Sequence, residues 1–221
     1  MASKAHEPRI TNRTSLSSSD AKWVELQKVN YIDQTGRERV WEVASRKTRG
    51  KAGVDAVAIG TVILHPSRPA STVLVLQYRP PMDAITVEWP AGLVDAAESP
   101  EEAAVRELRE ETGYEGRVLS VSPTIANDPG MTTANMQLVM VEVRLEEGDA
   151  EPEQHLDDGE HIQRVVVPLD RLYDKLVAYS KDEGMMVSAK LFHWAAGLHF
   201  AKQVLPKMWW SHTVRAIRAV E

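Results

Sequence analysis

The sequence contains no cysteine among its 221 residues. Disulfides, thiolate zinc sites and thiol nucleophiles are thereby excluded, and the composition suits a reducing compartment, the cytoplasm with the nucleus open to it. No apolar run approaches the ~18 residues of a membrane span. Positive charge is also scarce, with 26 Lys and Arg against 32 Asp and Glu and a formal charge of −6. A nucleic acid is therefore not an expected partner, and any phosphate must be held locally by a few Arg or Lys or by metal ions. The seven histidines show no metal-site spacing; His193 and His199, six apart, fall on different sides of a helix.

What remains is 43% hydrophobic and 26% charged, enough to bury the core of one globular domain. Residues 1–21 are polar and serine-rich and read as a mobile tail without the apolar stretch of a secretory signal. Arg9, Arg13 and the serines share the composition of a mitochondrial presequence, but Glu7, Asp20 and the missing apolar face argue against import. Residues 22–50 read as a β-hairpin. Trp23, Val24, Leu26 and Val29 alternate toward the turn signal Asp33-Gln34-Thr35-Gly36, and the run Arg39 to Val43 returns.

Residues 51–221 form the main body. Strands are expected at Val54 to Leu64, Ser71 to Tyr78, Ala84 to Trp89, Arg117 to Ser122, Met136 to Leu145 and His161 to Leu169. Helices are expected at Pro100 to Thr112, Asp170 to Ser180 and Ser188 to Val204. This pattern implies an α/β or α+β arrangement with helices laid on a sheet.

The segment Gly92 to Tyr114 is the most informative. Ser99 is a natural N-cap, Pro100 takes the first helical position, Glu102 completes a capping box and Gly113 is placed to stop the helix. Ala104, Val105 and Leu108 form the apolar face, and Glu107, Glu110 and Glu111 share an arc of roughly 100° beside it. Such crowding costs ~0.2–0.5 kcal/mol per like-charged pair and calls for a cation. Arg106 and Arg109 can supply part of it, and a divalent metal suits clustered oxygens better. A charge run is ordinarily only a solvated helix face. Here the spacing argues otherwise: Gly92, five residues, Glu98, seven residues, then Arg106-Glu107-Leu108, Glu110-Glu111, Gly113 and Tyr114. The seven named identities coincide by chance on the order of 10⁻⁸ to 10⁻⁹ per start position.

This segment resembles the Nudix box in every named position. The resemblance implies a Nudix-type α/β/α sandwich with a mixed sheet over 51–221, and hydrolysis of a nucleoside diphosphate linked to another group. Pro129 in Asn127-Asp128-Pro129-Gly130, sixteen residues after Gly113, resembles the downstream proline of ADP-ribose hydrolases, though it also fits an ordinary turn. The stretches KWVELQKVNYIDQTGRERVWEVASR and QYRPPMDAITVEWPAGLVD are similar to the eukaryotic ADP-ribose (ADP-sugar) pyrophosphatases.

The resemblance implies that the Ala91 carbonyl and the carboxylates of Glu107 and Glu111, joined by Glu110, hold Mg²⁺ or Mn²⁺, two or three ions per site. Arg106 is expected to orient the glutamates and Glu98 to shape the loop. Glu160, in the turn Asp157-Asp158-Gly159-Glu160, resembles the loop glutamate that serves as base or extra metal ligand in this subfamily. Arg79 can fork onto a phosphate or ribose oxygen, and Arg46 resembles a second such contact; either also fits a surface ion pair. Leu93 and Asp128 match positions near the ribose and diphosphate. Trp23 and Trp41 resemble the pair that sandwiches adenine, one from each subunit of a homodimer, with Glu42 accepting from the base edge. Trp89, Trp194, Trp209 and Trp210 are assigned to packing. An ADP-ribose pyrophosphatase is the leading expectation. A hydrolase of other nucleotide sugars or damaged nucleoside diphosphates, and a non-catalytic nucleotide-binding module, are the alternatives.

Overall fold

The computed structural model describes residues 7–50 and 53–218, with side chains described to residue 204. Strands β1 (Val24–Ile32) and β2 (Glu38–Arg46) form the hairpin, with Val24 opposite Arg46 and Ile32 opposite Glu38. Asp33 ties its turn by accepting from the Thr35 and Arg37 backbone N–H groups at 2.8 and 3.0 Å. The main sheet comprises β3 (Ala56–Leu64), β4 (Ser71–Arg79), β5 (Ala84–Glu88), β6 (Ala91–Leu93), β7 (Arg117–Val121), β8 (Ile125–Ala126), β9 (Asn135–Arg144), β10 (Gln163–Pro168) and β11 (Met185–Val187). Its path runs β11-β5-β4-β3-β9-β7, with β10 pairing β4, β6 pairing β3 and β8 pairing β9. The β3/β9 and β11/β5 pairs are parallel and the others antiparallel, so the sheet is mixed.

Alternation along β4 divides the core into two layers. Val73 joins the cluster of Val57, Ile59, Val139 and Val141 beneath helix α1 (Pro100–Thr112), whose Ala103, Ala104 and Leu108 are fully buried. Leu74 and Leu76 face the other way, against Leu172 and Leu176 of α2 (Leu172–Tyr179) and Leu191 of α3 (Ala189–Arg218). A sheet buried on both faces between helices is the α/β/α sandwich, and each leucine sealed into it contributes ~2 kcal/mol. Trp89 and Trp194 pack edge to face at 5.0 Å between centroids. The Trp209 and Trp210 side chains lie outside the described residues.

Helix α1 has the predicted bounds, with the Ser99–Glu102 capping box formed and Gly113 left-handed at φ 75°. Strands β6, β8 and β11 have no counterpart in the sequence reading, because two or three residues are too few to display alternation. Helix α3 runs past the expected end at Val204 to Arg218 and carries Pro206 within it. No described helix is long and apolar enough to cross a membrane.

Candidate functional site

The site is organised by Arg106. One face of its guanidinium forks onto Glu98, with Nε to Oε1 and Nη2 to Oε2 both at 2.9 Å. Nη1 donates to Glu107 at 2.8 Å and to Glu110 at 3.0 Å, while Nη2 also reaches the Leu93 carbonyl at 3.1 Å. A bidentate fork plus two further charge-assisted bonds fixes the loop from β6, the helix and two of the clustered glutamates relative to one another. These carboxylates hold the guanidinium firmly charged, well above its ordinary range.

Glu111 lies deeper. It is 3% exposed and accepts from the Ala91 backbone N–H at 3.0 Å. Burial pushes its carboxyl up to about 8; the Ala91 bond and Arg79 oppose the shift, and the charges of Glu107 and Glu160 add to it. Glu107 is raised by the same burial, against Arg106, with Glu110 and Glu160 adding to the rise. Crowded hard-oxygen donors that resist ionising are a fitting donor set for a divalent cation, which lets them ionise together. The loop is shaped for this, because any side chain at Gly92 would collide with the Glu107 carboxylate. Among the described residues, however, no three acidic or imidazole groups close into a ready-made ion cage. Glu107 and Glu110 are held by Arg106 and Glu111 by Ala91, so the donors are adjacent rather than converged.

Glu160 is brought to this centre by a turn, not by the helix. Gly159 takes φ 86°, Glu160 N–H donates to the Asp157 carbonyl at 3.0 Å, and the Glu160 carboxylate accepts from Asp157 N–H at 3.2 Å. On the β4/β5 side Arg79 Nε bonds Glu88 at 2.8 Å, and Thr86 Oγ1 bonds the same oxygen at 2.6 Å. Burial would raise the Glu88 carboxyl, but these two bonds and the charges of Arg79 and Lys190 hold it below the usual carboxylate range. Arg79 is thus anchored by an ion pair while its charge still reaches Glu111.

At the hairpin, Trp41 Nε1–H donates to the Gly130 carbonyl at 3.0 Å, and Ala44 exchanges bonds with Met131 and Thr133 at 2.9 and 3.0 Å. Asp128 sits in that same loop, its carbonyl accepting from Met131 and Thr132. A buried latch secures the junction. Arg49 forks onto Asp55 with two bonds of 2.8 Å and donates to the Thr133 carbonyl at 2.5 Å, and Asp55 accepts from Asn135 N–H at 3.0 Å. Trp23 precedes β1, and its carbonyl accepts from Lys47 N–H at 3.1 Å. Trp41 pairs with Val29, so Trp23 and Trp41 stand about 20 Å apart along the hairpin. Glu42 and Arg46 fall on the face opposite Trp41.

The fold therefore gathers Ala91, Leu93, Arg106, Glu107, Glu110, Glu111, Glu160 and Arg79 around one centre, and Trp41 with Asp128 around a second. It does not bring Trp23 to Trp41 within one chain. Arg49, Asp55, Glu88 and Lys190 escaped the sequence reading. For Glu88 a signal existed: Ile85, Val87 and Trp89 alternate with Thr86 and Glu88, placing an acid on the second face of a largely buried strand. A cavity of about 790 Å³ opens instead on the outer flank of α1 and is lined by Val105, Arg109, Glu115, Val118 and His155; it touches the carboxylate centre only through Arg106 and Glu110.

Comparison with known proteins agrees with this geometry. Residues 54–189 match the NUDIX domain. The chain is 42% identical over 188 residues to the ADP-ribose pyrophosphatase of Saccharomyces cerevisiae, covering 84% of this chain and 81% of the relative. It is 36% identical over 184 residues to the ADP-sugar pyrophosphatase of Mus musculus, covering 83% and 84%. A crystal structure of an ADP compounds hydrolase superposes with a TM-score of 0.56 at 21% identity, over 94% of this chain and 98% of that one, a likeness of fold. A family match over residues 54–189, carrying the complete box on a capped helix against the sheet, makes this chain a member of the NUDIX family.

Proposed function

We propose that the protein is a divalent-metal-dependent hydrolase that cleaves the diphosphate of ADP-ribose to AMP and ribose 5-phosphate. The observation that carries this reading is the pairing of an anionic centre, Glu107, Glu110, Glu111 and Glu160, with the cationic side chain of Arg79, whose charge reaches Glu111. Such a site suits a diphosphate, which needs cations on all its oxygens during displacement at phosphorus. The names of the yeast and mouse relatives supply the substrate class.

Glu107, Glu111 and the Ala91 carbonyl would hold Mg²⁺ or Mn²⁺, with Glu110 and Glu160 available to a second or third ion. When bound, the ions supply charge neutralisation and acidify water near the phosphorus. Glu160 is the proposed acceptor of the water proton or an extra ligand, since it lies at the centre yet on a solvent-reaching turn. Arg106 is a positioning residue whose bonds hold Glu107 and Glu110 in place. Arg79 and Arg46 take diphosphate oxygens, and Leu93 and Asp128 lie toward the ribose.

Adenine recognition is proposed to need a homodimer. A base gripped on both faces requires rings at ~3.5–4 Å on each side, far less than the separation of Trp23 and Trp41 in one chain. Every residue of β1 is exposed, with Val24, Leu26, Ile32 and Val40 on one hairpin face and Val29, Tyr31 and Trp41 on the other. A two-stranded hairpin apolar on both faces is marginal alone, and a second copy of the chain both covers it and contributes the missing tryptophan. Glu42 accepts from the base edge in this arrangement, and since it faces away from its own Trp41 the base must lie across the strand edge or meet the partner's strand. The compartment proposed is the cytoplasm or nucleus, in keeping with the absence of cysteine.

The test is AMP release from ADP-ribose in Mg²⁺ or Mn²⁺, with and without EDTA. EDTA-sensitive release is expected, whereas no release, or release indifferent to EDTA, refutes the reading. A broader ADP-sugar hydrolase is the second reading, favoured by the mouse relative's name, and a substrate panel ranked by kcat/KM separates the two. A non-catalytic module is disfavoured because all three box carboxylates are present.

A further inference from the structure

Helix α1 stops at Gly113, whose N–H donates to the Arg109 carbonyl at 2.8 Å, and the carbonyls of Glu110, Glu111 and Thr112 lie beyond that last bond. One segment of chain takes all three. His155 N–H donates to the Glu110 carbonyl at 2.8 Å, Gln154 Nε2 to the Glu111 carbonyl at 2.5 Å, and Arg164 Nη1 to the Thr112 carbonyl. The segment comes so close that a Cβ at position 113 would stand 2.3 Å from the Glu153 carbonyl oxygen. Gly113 therefore both ends the helix and leaves room for the chain that covers its end.

These contacts flank the turn that carries Glu160. Residues 151–154 lead into it and residues 162–164 lead out, and two interactions close the stem between them. Arg164 pairs with Glu151 at 3.0 Å, but Glu151 is largely exposed and the pair contributes little. Gln154 does more, because its amide also donates to the carbonyl of buried Ile162 at 3.2 Å. One side chain thus joins the backbone of Glu111 to both limbs of the loop. Its two neighbours are carbonyl oxygens and call for the two N–H donors of an amide, which neither a carboxylate nor a thioether supplies. Beyond the stem, Glu160 bonds to Asp157 within its own turn, so its carboxylate inherits its place relative to Glu111 from the stem. A displacement of ~1 Å at a reacting group can cost ~10²-fold in rate.

We propose that Gln154 is a positioning residue that fixes the Glu160 turn against the end of helix α1 and acts on turnover through Glu160. The proposal rests on the diphosphate-hydrolase reading above and on the role given there to Glu160. EDTA-sensitive AMP release by the unaltered protein, and a fall of kcat in Glu160→Gln, test that reading first; if either is missing, the reading fails and the proposal with it. Given both, Gln154→Met should lower kcat for ADP-ribose about 10-fold with KM within about 2-fold. In a Glu160→Gln background the same substitution should cost less than about 2-fold, as expected of residues that act as one unit. Gln154→Glu, equal in size but without donors, should lose at least as much, and it carries the comparison if the methionine variant does not fold. Hydrogen exchange on the metal-free protein supplies a readout apart from turnover: peptides spanning 155–162 should exchange at least about 5-fold faster in Gln154→Met while α1 keeps its protection. An unaltered kcat overturns the proposal, as does a loss that multiplies with that of Glu160→Gln, which marks independent action. Loosening of α1 together with the loop overturns it too, since that marks general destabilisation.

Discussion

Helix α1 and the N-terminal hairpin both carry candidate site residues, and they are stabilised in opposite ways. The helix begins on a formed capping box, ends on a left-handed glycine and seals Ala103, Ala104 and Leu108 against the sheet. Its glutamates are then positioned by Arg106 and Ala91 from the same chain. The hairpin has an unbroken ladder but leaves β1 wholly exposed, with Trp23 68% and Trp41 51% exposed. Among the described residues it is tied to the body through Ala44, Trp41 and the Arg49–Asp55 latch that follows it. The clustered glutamates are held by partners within one chain, whereas the apolar residues of β1 find no cover among the described residues.

The sharpest way to break this contrast is to disable each half separately. Glu111→Gln keeps the helix and the buried volume but removes a carboxylate charge, and should lower kcat by about 10³-fold or more in steady-state assays with little change in melting temperature. Turnover near normal would detach the helix from the chemistry.

The junction comes next. Arg49→Met leaves the buried Asp55 carboxylate unpaired and should cost about 3 kcal/mol in denaturant unfolding at pH 7. Burial would raise the Asp55 carboxyl, yet the bonds from Arg49 and Asn135 hold it below its ordinary value. A depressed folded pKa contributes stability above the unfolded value near 4 and loses it as pH falls through the folded one. The gap between wild type and variant should therefore narrow below pH ~4. A gap that is constant with pH would mean the ion pair is not its source.

The smallest effects belong to the hairpin tryptophans. Trp23→Ala and Trp41→Ala should each raise the KM for ADP-ribose by a factor corresponding to ~1–3 kcal/mol of stacking while sparing kcat. After subunit exchange, a mixture of the two variants should regain tight binding in part, because one site of the heterodimer then contains both tryptophans. Full activity from a protein that sediments as a monomer would show that the arm needs no partner.

The sequence by itself determined what is local. The capping box, the helix bounds and the spacing of Glu107, Glu110 and Glu111 follow from hydrogen bonds within four residues and a fixed turn per residue, so the box could be read without a fold. The hairpin was legible for the same reason, its turn and alternation being written in adjacent positions. Tertiary structure alone decided which distant residues meet. The elevation of Glu111 required its burial, Glu88 met Arg79 only when the β4/β5 ladder brought them together, and Lys190 comes to act on Glu88 because a three-residue strand sets the start of α3. These pairings depend on sheet order and strand register, which bring together residues not adjacent in the chain and leave no periodic trace in it.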